Sequence, residues 1–245
     1  MTIKVGVIGA AGRMGSEARR AIEDDPELEF VAGVEHGDSL DALTAAGAAV
    51  AVDFTTPEAV KENVRFCLDK GIHVVVGTTG LGDEDLAEID GWTADSAANA
   101  FVAPNFAIGA VLMMSFAARA TPWFKTAEIV ERHHERKLDA PSGTALRTAK
   151  LMNENRSEAW SVPAGNKESL QGSRGGDAGG IRVHSLRVPG SVAHQEVVLG
   201  SPGETLTIRH DSLERVSFMP GVVLAVKKVP SLRGLTVGLE RLLDL

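Results

Sequence analysis

Residues 131–145, with the sequence ERHHERKLDAPSGTA, concentrate side chains that could bind an anion and move protons. Two adjacent imidazoles, His133 and His134, end a strand-like run, and the ammonium group of Lys137 follows in the next few residues. An imidazole changes its charge near neutral pH, and an ammonium group can donate a proton or neutralise a carboxylate. The stretch therefore predicts a site for an anionic ligand.

The end of the same stretch predicts the start of a helix. Ser142 is a typical N-cap residue, and the unpaired N–H groups of Gly143 and Thr144 in the first turn would point at whatever lies before the helix. Such a helix N-terminus favours negative charge. We therefore expect the imidazoles, the ammonium group and the helix N-terminus to converge on a ligand that carries carboxylates.

A metal site is one alternative interpretation. His133, His134 and Glu135 belong to residue types that bind zinc. Adjacent residues of a strand point to opposite faces, however, so the two imidazoles are badly placed to chelate one ion. We predict no metal site.

A solvated basic loop is the other alternative, because Arg132 and Arg136 add two cations to Lys137 in the same stretch. Asp139 fits either interpretation, since it could orient the ammonium group or only cap a turn. The residues alone leave both points open.

A glycine-rich turn near the N-terminus predicts a nucleotide site. Gly9, Gly12 and Gly15 follow the first predicted strand and open a helix. Glycines let the backbone approach a pyrophosphate, whose charge the helix N-terminus stabilises. The spacing G-x-x-G-x-x-G departs from the usual G-x-G-x-x-G, and a purely structural turn is the alternative. The position between a first strand and a first helix favours nucleotide binding.

The end of the second predicted strand bears on the type of nucleotide. Glu35 stands where an acid commonly accepts a hydrogen bond from a ribose hydroxyl. His36 follows, where a site for a 2′-phosphate would often have arginine, but Arg13 in the glycine turn could also meet such a phosphate. The choice between NADH and NADPH stays open.

Two further predicted strands end in the motifs GTTG, at 77–80, and APNF, at 103–106. Ligands of open α/β sheets bind outside the carboxyl ends of the strands. The hydroxyl groups of Thr78 and Thr79 and the amide of Asn105 could orient a ribose or a nicotinamide carboxamide. Ordinary turn chemistry is the alternative.

The hydrophobic pattern supplies the elements that would position these motifs. Predicted strands at 3–9, 28–34, 48–54, 72–78 and 99–105 alternate with predicted helices at 13–25, 57–71 and 83–97. The alternation predicts an α/β fold with a doubly wound parallel sheet of the Rossmann type, covered by helices on both faces.

The pattern changes after residue 106. The predicted elements there are a helix at 107–124, a strand at 127–134, a helix at 142–155, a glycine-rich mobile loop at 165–180, strands at 181–190, 191–200 and 204–212, and helical content at 216–234. The three strands, separated by turns, predict an antiparallel meander. We therefore predict a dinucleotide-binding domain at 1–106, completed by 213–245, and an inserted α+β substrate-binding and oligomerisation domain at 107–212.

The composition excludes several classes of protein. The 245 residues are 44% hydrophobic, which allows a substantial core, and the net charge of -8 argues against a nucleic-acid-binding protein. The single cysteine, Cys67, fits a reducing compartment, and the early first strand leaves no room for a signal peptide. The most apolar run, at 106–120, is too short to span a membrane. We expect a cytoplasmic protein.

Together these motifs resemble the 4-hydroxy-tetrahydrodipicolinate reductase (dihydrodipicolinate reductase) family. Residues 131–145 are similar to the family pattern E-x-H-H-x-x-K-x-D-A-P-S-G-T-A, and VGVIGAAGRMG, VDFTTPE, GTTG and APNFAIG occur in the family's order. The resemblance implies reduction of 4-hydroxy-tetrahydrodipicolinate, via dihydrodipicolinate, to tetrahydrodipicolinate with NADH or NADPH, in diaminopimelate and lysine biosynthesis. It also implies a homotetramer with the sheets of the inserted domains at its core.

The resemblance implies roles for individual residues as well. His133 would donate or accept a proton, and Lys137 would donate one. The residues implied to bind the substrate carboxylates are His134, Gly143 and Thr144. Those implied to line the cofactor site are Gly9, Ala10, Ala11, Gly12, Arg13, Met14, Glu35, Gly77, Thr78, Thr79, Ala103, Pro104, Asn105 and Phe106. His36 departs from members that carry arginine there.

Two other functions remain as alternatives. Another two-domain dehydrogenase, of aspartate or homoserine type, would share the glycine turn but need not carry the His-His/Lys stretch. A non-catalytic regulator that senses dinucleotides would keep the first domain, but it would not need His133 or Lys137. Oxidation of the reduced cofactor by the pathway substrate separates the three.

We predict that the protein uses both NADH and NADPH, with a modest preference for NADH. Glu35 should repel a 2′-phosphate and favour an unphosphorylated ribose, whereas Arg13 should attract the phosphate. Initial rates measured in parallel with the two cofactors give the ratio of their kcat/KM values. A preference for NADPH above about a hundredfold, roughly 2.7 kcal/mol, would contradict this prediction.

Overall fold

The computed structural model describes residues 2–161, 167–243 and 245. Its chain forms two compact units, Met1–Ile108 with Arg215–Leu245 and Gly109–Glu214. The strands are β1 (Ile3–Ile8), β2 (Leu28–Val34), β3 (Val50–Asp53), β4 (His73–Val76), β5 (Ala100–Val102), β6 (Thr126–His133), β7 (Gly176–Ala178), β8 (Ile181–Arg187), β9 (Ala193–Ser201), β10 (Glu204–Ser212) and β11 (Leu235–Val237). The α-helices are α1 (Arg13–Asp24), α2 (Asp41–Ala45), α3 (Pro57–Asp69), α4 (Asp83–Ala94), α5 (Ile108–Ala120), α6 (Gly143–Glu154) and α7 (Met219–Lys228). Short 3₁₀ helices cover Thr121–Trp123, Arg215–Phe218, Val229–Ser231 and Leu239–Leu242.

The first unit contains a six-stranded sheet in the order β11-β5-β4-β3-β1-β2. All of its strand pairs are parallel. Its central strands are mostly apolar, and every residue of β3 is buried, as expected for a sheet covered on both faces. The predicted doubly wound α/β class is confirmed.

The parallel strands bring their carboxyl ends to one edge of this sheet. The strand order reverses at β1, which pairs with β2 on one side and with β3 on the other. Such a switch point is where open α/β sheets bind their ligands. The loops that follow β1, β2, β4 and β5 carry the motifs of the predicted cofactor site.

The second unit contains a five-stranded mixed sheet in the order β10-β9-β6-β8-β7. β6 is its central strand and pairs parallel with β8 and antiparallel with β9. Alternate residues of β6, among them Ala127 and Ile129, are buried in a core that includes Ala145, Ala149 and Met152 of α6. One face of the sheet is thus covered by this helix.

The predicted antiparallel meander of the runs 181–190, 191–200 and 204–212 was wrong. Of these three runs, only β9 and β10 pair with each other, because β6 lies between β8 and β9. The buried face of β6 carries fully enclosed side chains, which suits a central strand with partners on both edges. Sequential strands are often neighbours in a sheet, but this is only a tendency.

The glycine-rich tract at 165–180 was predicted as a loop throughout. Residues 165 and 166 lie outside the described residues, and Gly176–Ala178 forms β7, which pairs antiparallel with β8. Three residues give too short a pattern to reveal a strand, and the same holds for β11, which the sequence did not predict. Within the described ranges, no helix has the length and apolar character needed to cross a bilayer.

Two helix glycines should respond oppositely to alanine. A Cβ atom on Gly221 of α7 would lie 2.1 Å from the backbone oxygen of Phe106, so Gly221→Ala forces the backbone apart and should destabilise the protein by about 1–3 kcal/mol. A Cβ atom on Gly91 of α4 would meet nothing within 4 Å, so Gly91→Ala should stabilise by about 0.5–1 kcal/mol. Urea denaturation measures both changes, and equal shifts in one direction would contradict this packing.

Candidate functional site

The glycine turn after β1 is tight because three glycines leave no room for side chains. Gly9 has φ +78°, a left-handed conformation, and a Cβ atom on it would lie 2.5 Å from the backbone oxygen of Phe54. A Cβ atom on Gly15 would lie 1.9 Å from the backbone oxygen of Gly9. The N-cap of α1 is Gly12, and no side chain caps this end of the helix. The first-turn N–H groups therefore fit a phosphate group of a dinucleotide.

Glu35 lies beside this turn although it is far from it in sequence. Its Oε1 atom accepts a hydrogen bond from the N–H of Ala11 at 2.5 Å, and its own N–H donates to Asp38 Oδ2 at 2.9 Å. The carboxylate thus holds the middle of the glycine turn. The side chains of Arg13 and His36, the other residues that bear on the choice of nucleotide, are exposed.

The hydroxyl group of Thr78 has partners inside the protein. Thr78 is 7% exposed, its Oγ1 atom donates to Asp53 Oδ1 at 2.5 Å, and it accepts from the N–H of Thr55 at 2.7 Å. The sequence suggested that this hydroxyl could orient a ribose or a carboxamide, but the structure commits it to Asp53. The neighbouring Thr79 is exposed.

Asp53 is a residue of this region that the sequence reading passed over. It is 0% exposed, and it also accepts hydrogen bonds from Thr55 Oγ1 at 2.8 Å and from Asn63 Nδ2 at 2.8 Å. The carboxylate therefore ties the loops after β3 and β4 to each other. The signal was an acid that directly ends a buried apolar strand, since such an acid needs polar partners.

The segment after β5 contributes mainly backbone to this edge of the sheet. Ala103 and Phe106 are buried, and the Phe106 ring packs edge-on against Phe54 with 6.2 Å between centroids. Asn105 Oδ1 accepts a hydrogen bond from the N–H of Ala107 at 2.8 Å. Pro104 is exposed. The Phe106 side chain thus belongs to the core.

In the second unit, the buried face of the sheet changes from apolar to polar along β6. Its first inward residues pack on α6, but the later ones are Glu131 and His133. Ser185 and Arg187 of β8 are paired with these two positions. Polar side chains therefore collect where β6 ends and the loop to α6 begins.

Glu131 is the centre of this polar group and is fully buried. Arg187 makes a bidentate ion pair with it, from Nη1 to Oε2 and from Nη2 to Oε1, both at 2.9 Å. The N–H of Ser142 donates to Oε1 at 3.2 Å. Burial alone would raise the pKa of Glu131, but hydrogen bonds from Arg187, Ser185 and His133 outweigh it and lower the pKa. The carboxylate is therefore ionised.

His133 is oriented by the same carboxylate. Its Nδ1 atom lies 2.5 Å from Glu131 Oε2. Burial lowers the pKa of His133, against the opposing effect of Glu131, and the nearby charges of Lys137 and Arg187 lower it further. The imidazole is therefore neutral at neutral pH, and an ionised carboxylate can only accept, so Nδ1 carries the proton.

Lys137 is half-buried in the loop between β6 and α6. Its Nζ atom donates to Asp139 Oδ1 at 2.7 Å. Burial would raise the pKa of Asp139, but hydrogen bonds from Lys137 and from the backbone N–H groups of Asp139 and Gly143 lower it. Asp139 thus both orients the ammonium group and reaches the first turn of α6. Its carboxylate contacts two groups that were predicted to bind a substrate carboxylate.

The start of α6 follows the predicted pattern of a capped helix. Ser142 Oγ accepts a hydrogen bond from the N–H of Ala145 at 3.2 Å, and a Cβ atom on Gly143 would meet nothing within 4 Å. Thr144 lies in the same turn. The Nδ1 atom of His134 is buried without a hydrogen-bond partner among the described residues, which fits a ligand group that supplies one.

The other cations of the opening stretch do not join this group. Arg136 is exposed and lies 3.6 Å from Glu135. Arg132 points to the opposite face of β6 from Glu131 and His133, because side chains alternate along a strand. No cluster of His, Cys, Asp or Glu suited to a metal ion is found in residues 2–161, 167–243 and 245.

The sequence reading gave no role to Glu131 or Arg187. The signal for Glu131 was present, because an acid on the apolar face of a strand, two residues before His133, requires partners. Arg187 is separated from Glu131 by 56 positions, and nothing in its local sequence indicates the contact. Only the pairing of β6 with β8 brings the two together.

Comparisons with known proteins cover nearly the whole chain. Residues 3–106 match the family described as dihydrodipicolinate reductase, N-terminus, and residues 109–243 match dihydrodipicolinate reductase, C-terminus. The 4-hydroxy-tetrahydrodipicolinate reductase of Streptomyces griseus subsp. griseus is 54% identical over 99% of this chain and 98% of its own. That of Mycolicibacterium smegmatis is 52% identical over 99% of this chain and 100% of its own.

The chain is also similar to a solved structure of a dihydrodipicolinate reductase. The dipicolinate-bound dihydrodipicolinate reductase of Paenisporosarcina sp. TG-14 has a TM-score of 0.89 and 39% identity, over 98% of this chain and 99% of its own. An amine dehydrogenase from Mycobacterium smegmatis has a TM-score of 0.64 at 12% identity, over 96% of this chain and 95% of its own. At that identity the likeness shows the fold alone.

We predict that Thr78→Val destabilises the protein, whereas Thr78→Ser does not. Valine fills the same volume but removes the hydroxyl that donates to the buried Asp53 Oδ1 and accepts from the N–H of Thr55. Loss of these two hydrogen bonds, one of them to a buried carboxylate, typically costs about 1–3 kcal/mol. The control is Thr79→Val at the exposed neighbouring position, which should change stability by less than about 0.5 kcal/mol. Chemical denaturation measures all three variants. Equal stability of Thr78→Val and wild type would contradict the role of this hydroxyl.

Proposed function

The chain belongs to the dihydrodipicolinate reductase family, and from this premise we propose that it reduces 4-hydroxy-tetrahydrodipicolinate, via dihydrodipicolinate, to tetrahydrodipicolinate with NADH or NADPH. Family similarity over both units supports the activity and its place in diaminopimelate and lysine biosynthesis. The observation that carries the proposal is that the buried Glu131–Arg187 pair connects His133, the Lys137 loop and the start of α6, because the chemistry of these groups suits a dicarboxylate that must be protonated.

The substrate carboxylates are assigned to three groups of the second unit. Lys137 provides a positive charge, the first turn of α6 at Gly143 and Thr144 provides N–H groups, and the buried Nδ1 atom of His134 lacks a partner in the described chain. A carboxylate of the substrate would take over the contacts that the Asp139 carboxylate makes with the ammonium group and with the helix start. Charge-assisted hydrogen bonds of this kind bind carboxylates strongly.

Proton transfer is assigned to His133 and Lys137. The bound nicotinamide cofactor supplies the hydride. Reduction of a conjugated imine builds up negative charge, which a positioned acid must neutralise. The charge of Lys137 lowers the pKa of His133, which supports a shared role for the ammonium group and the imidazole.

The cofactor is assigned to the first unit. The uncapped start of α1 with its glycine turn suits the pyrophosphate, and Glu35 beside that turn suits a ribose hydroxyl. The segments 77–79 and 103–106 suit the nicotinamide end through their backbone groups, because the Thr78 hydroxyl and the Phe106 ring are engaged within the protein. The protein thus orients a cofactor that provides the redox chemistry.

We predict that Lys137→Ala abolishes most catalysis while leaving NADH affinity nearly unchanged. The cofactor residues lie in the other unit, so calorimetry should find a similar dissociation constant for NADH. Loss of a positioned proton donor typically lowers kcat by about 10²- to 10⁴-fold, and loss of a carboxylate contact should raise KM as well. His133→Ala should lower kcat similarly with less effect on KM. The control is Lys150→Ala, which removes an exposed cation of α6 and should not change the rate.

Competition by pyridine-2,6-dicarboxylate completes this test. The compound carries the two carboxylates of the substrate on a planar ring, so it should compete with substrate in wild type and bind more weakly to Lys137→Ala. If Lys137→Ala instead reduced substrate at a near wild-type rate and lost NADH binding, the basic stretch would belong to the cofactor site.

We predict that the protein forms a homotetramer in the cytoplasm. One face of the mixed sheet is covered by α6, and β10 forms an edge strand whose residues are largely exposed. An exposed edge is a liability that pairing between subunits removes. Light scattering at micromolar concentration should give four times the 25.8 kDa mass of one chain. A stable monomer would contradict the prediction.

A further inference from the structure

We propose that the buried ion pair of Glu131 and Arg187 positions the proton-transfer site. It keeps the proton of His133 on Nδ1, so that Nε2 is the atom that exchanges a proton with the substrate. It also anchors the Lys137 loop and the start of α6. The catalytic role of His133 rests on the proposed function, whereas the geometry of the ion pair is independent of that function.

The ion pair has the geometry of a rigid support. The carboxylate of Glu131 has no solvent exposure, and the side chain of Arg187 is 19% exposed. Two parallel N–H···O contacts at 2.9 Å lock the plane of the guanidinium group to the plane of the carboxylate. Because β6 and β8 are paired over Glu128–His133, the backbone on both sides is fixed as well.

The tautomer of His133 follows from this support. An ionised carboxylate accepts hydrogen bonds and donates none, so the 2.5 Å contact from Glu131 Oε2 requires a proton on Nδ1. In the neutral ring the lone pair is then on Nε2. Within the described chain, Nε2 makes no hydrogen bond, so this atom is available to exchange a proton with a ligand.

The same pair reaches the other two parts of the substrate site. Arg187 Nη2 donates to the backbone oxygen of Asp139 at 2.5 Å, and the Asp139 carboxylate accepts from Lys137 Nζ. Glu131 Oε1 accepts from the N–H of Ser142, the N-cap of α6. One buried carboxylate and one guanidinium group thus connect the imidazole, the ammonium loop and the helix start.

Neighbouring charges have opposing effects on the pKa of His133. The charged groups that act on the ring are Glu131 on its own strand, Arg187 on β8 and Lys137 in the loop to α6. On the remaining side, β9 places the uncharged Ala193 opposite His133. Glu131 alone would favour the imidazolium, and Arg187 offsets that effect. The ring therefore stays neutral until a ligand adds negative charge.

A purely structural ion pair makes a different prediction. If the pair only holds the sheet together, removing either partner lowers the stability and leaves the pKa of His133 unchanged. If the pair sets the charge state of His133, removing one partner or the other shifts that pKa in opposite directions. Glu131→Gln removes the group that raises the pKa of His133, so the pKa should fall. Arg187→Met leaves the carboxylate charge uncompensated, so the pKa should rise.

The experiment is nitrogen NMR on the full chain labelled with ¹⁵N-histidine. The ring signals of His133 are assigned by their loss in His133→Asn and followed over pH in wild type, Glu131→Gln and Arg187→Met. The matched control is Glu128→Gln, because Glu128 also pairs with an arginine and a histidine, Arg174 and His184, but on the opposite face of β6. The control should leave the pKa of His133 unchanged.

The expected result is the Nδ1–H tautomer in wild type and opposite pKa shifts in the two variants. A wild-type ring with its proton on Nε2, or shifts of the same sign, would overturn the inference. If Glu131→Gln fails to fold by circular dichroism, the wild-type tautomer and the comparison of Arg187→Met with Arg187→Lys decide, since lysine keeps the charge and should keep the pKa.

Kinetics separate this inference from the proposed function. We expect kcat of Glu131→Gln to fall by about 10²- to 10⁴-fold, and the pH profile of kcat/KM to shift in each variant as the pKa of His133 shifts. If the NMR shifts occur but the pH profile does not follow them, the positioning inference holds and the catalytic role of His133 fails. If the NMR shifts are absent, the positioning inference fails whatever the rates.

Discussion

The second unit depends on one constraint, which is the burial of an ionised carboxylate at Glu131. Burying a charge without partners strongly destabilises a fold, so neighbouring elements must provide hydrogen-bond donors to the carboxylate. β8 supplies Arg187, β6 supplies His133, and the start of α6 supplies the N–H of Ser142. These are also the elements that carry the proposed substrate site. The requirement to satisfy one carboxylate therefore fixes the relative positions of the groups that would act on the substrate.

The two units differ in the groups that their proposed sites present to a ligand. In the first unit, glycines and an uncapped helix start let the backbone face a phosphate, and the acids Asp53 and Glu35 accept hydrogen bonds from the loops around them. In the second unit, the proposed site would bind a small dicarboxylate directly through charged side chains. A chain with a net charge of -8 needs such a local cluster, because its overall field repels anions.

The sequence alone predicted the class of the first unit and the groups at the start of α6, because both depend on local patterns. Apolar runs alternating with helices indicate a parallel sheet, and Ser142 with the following glycine indicates a capped helix. The position of β6 between β8 and β9 depends on which strand is fully enclosed, and no local pattern encodes that. Arg187 was missed for the same reason, and the engagement of the Thr78 hydroxyl by Asp53 depends on two loops that meet only in the folded sheet. Contacts between residues that lie far apart in the sequence could not be predicted.

The central claim is that His133 is neutral in the free protein and gains a proton when a dicarboxylate binds beside it. Burial lowers the pKa of His133, and two added carboxylate charges should raise it again. Calorimetric titration of pyridine-2,6-dicarboxylate in buffers of different ionisation enthalpy measures the protons taken up on binding. The account predicts proton uptake near neutral pH in wild type and its loss in His133→Asn. Binding without uptake in wild type, or equal uptake in His133→Asn, would contradict it.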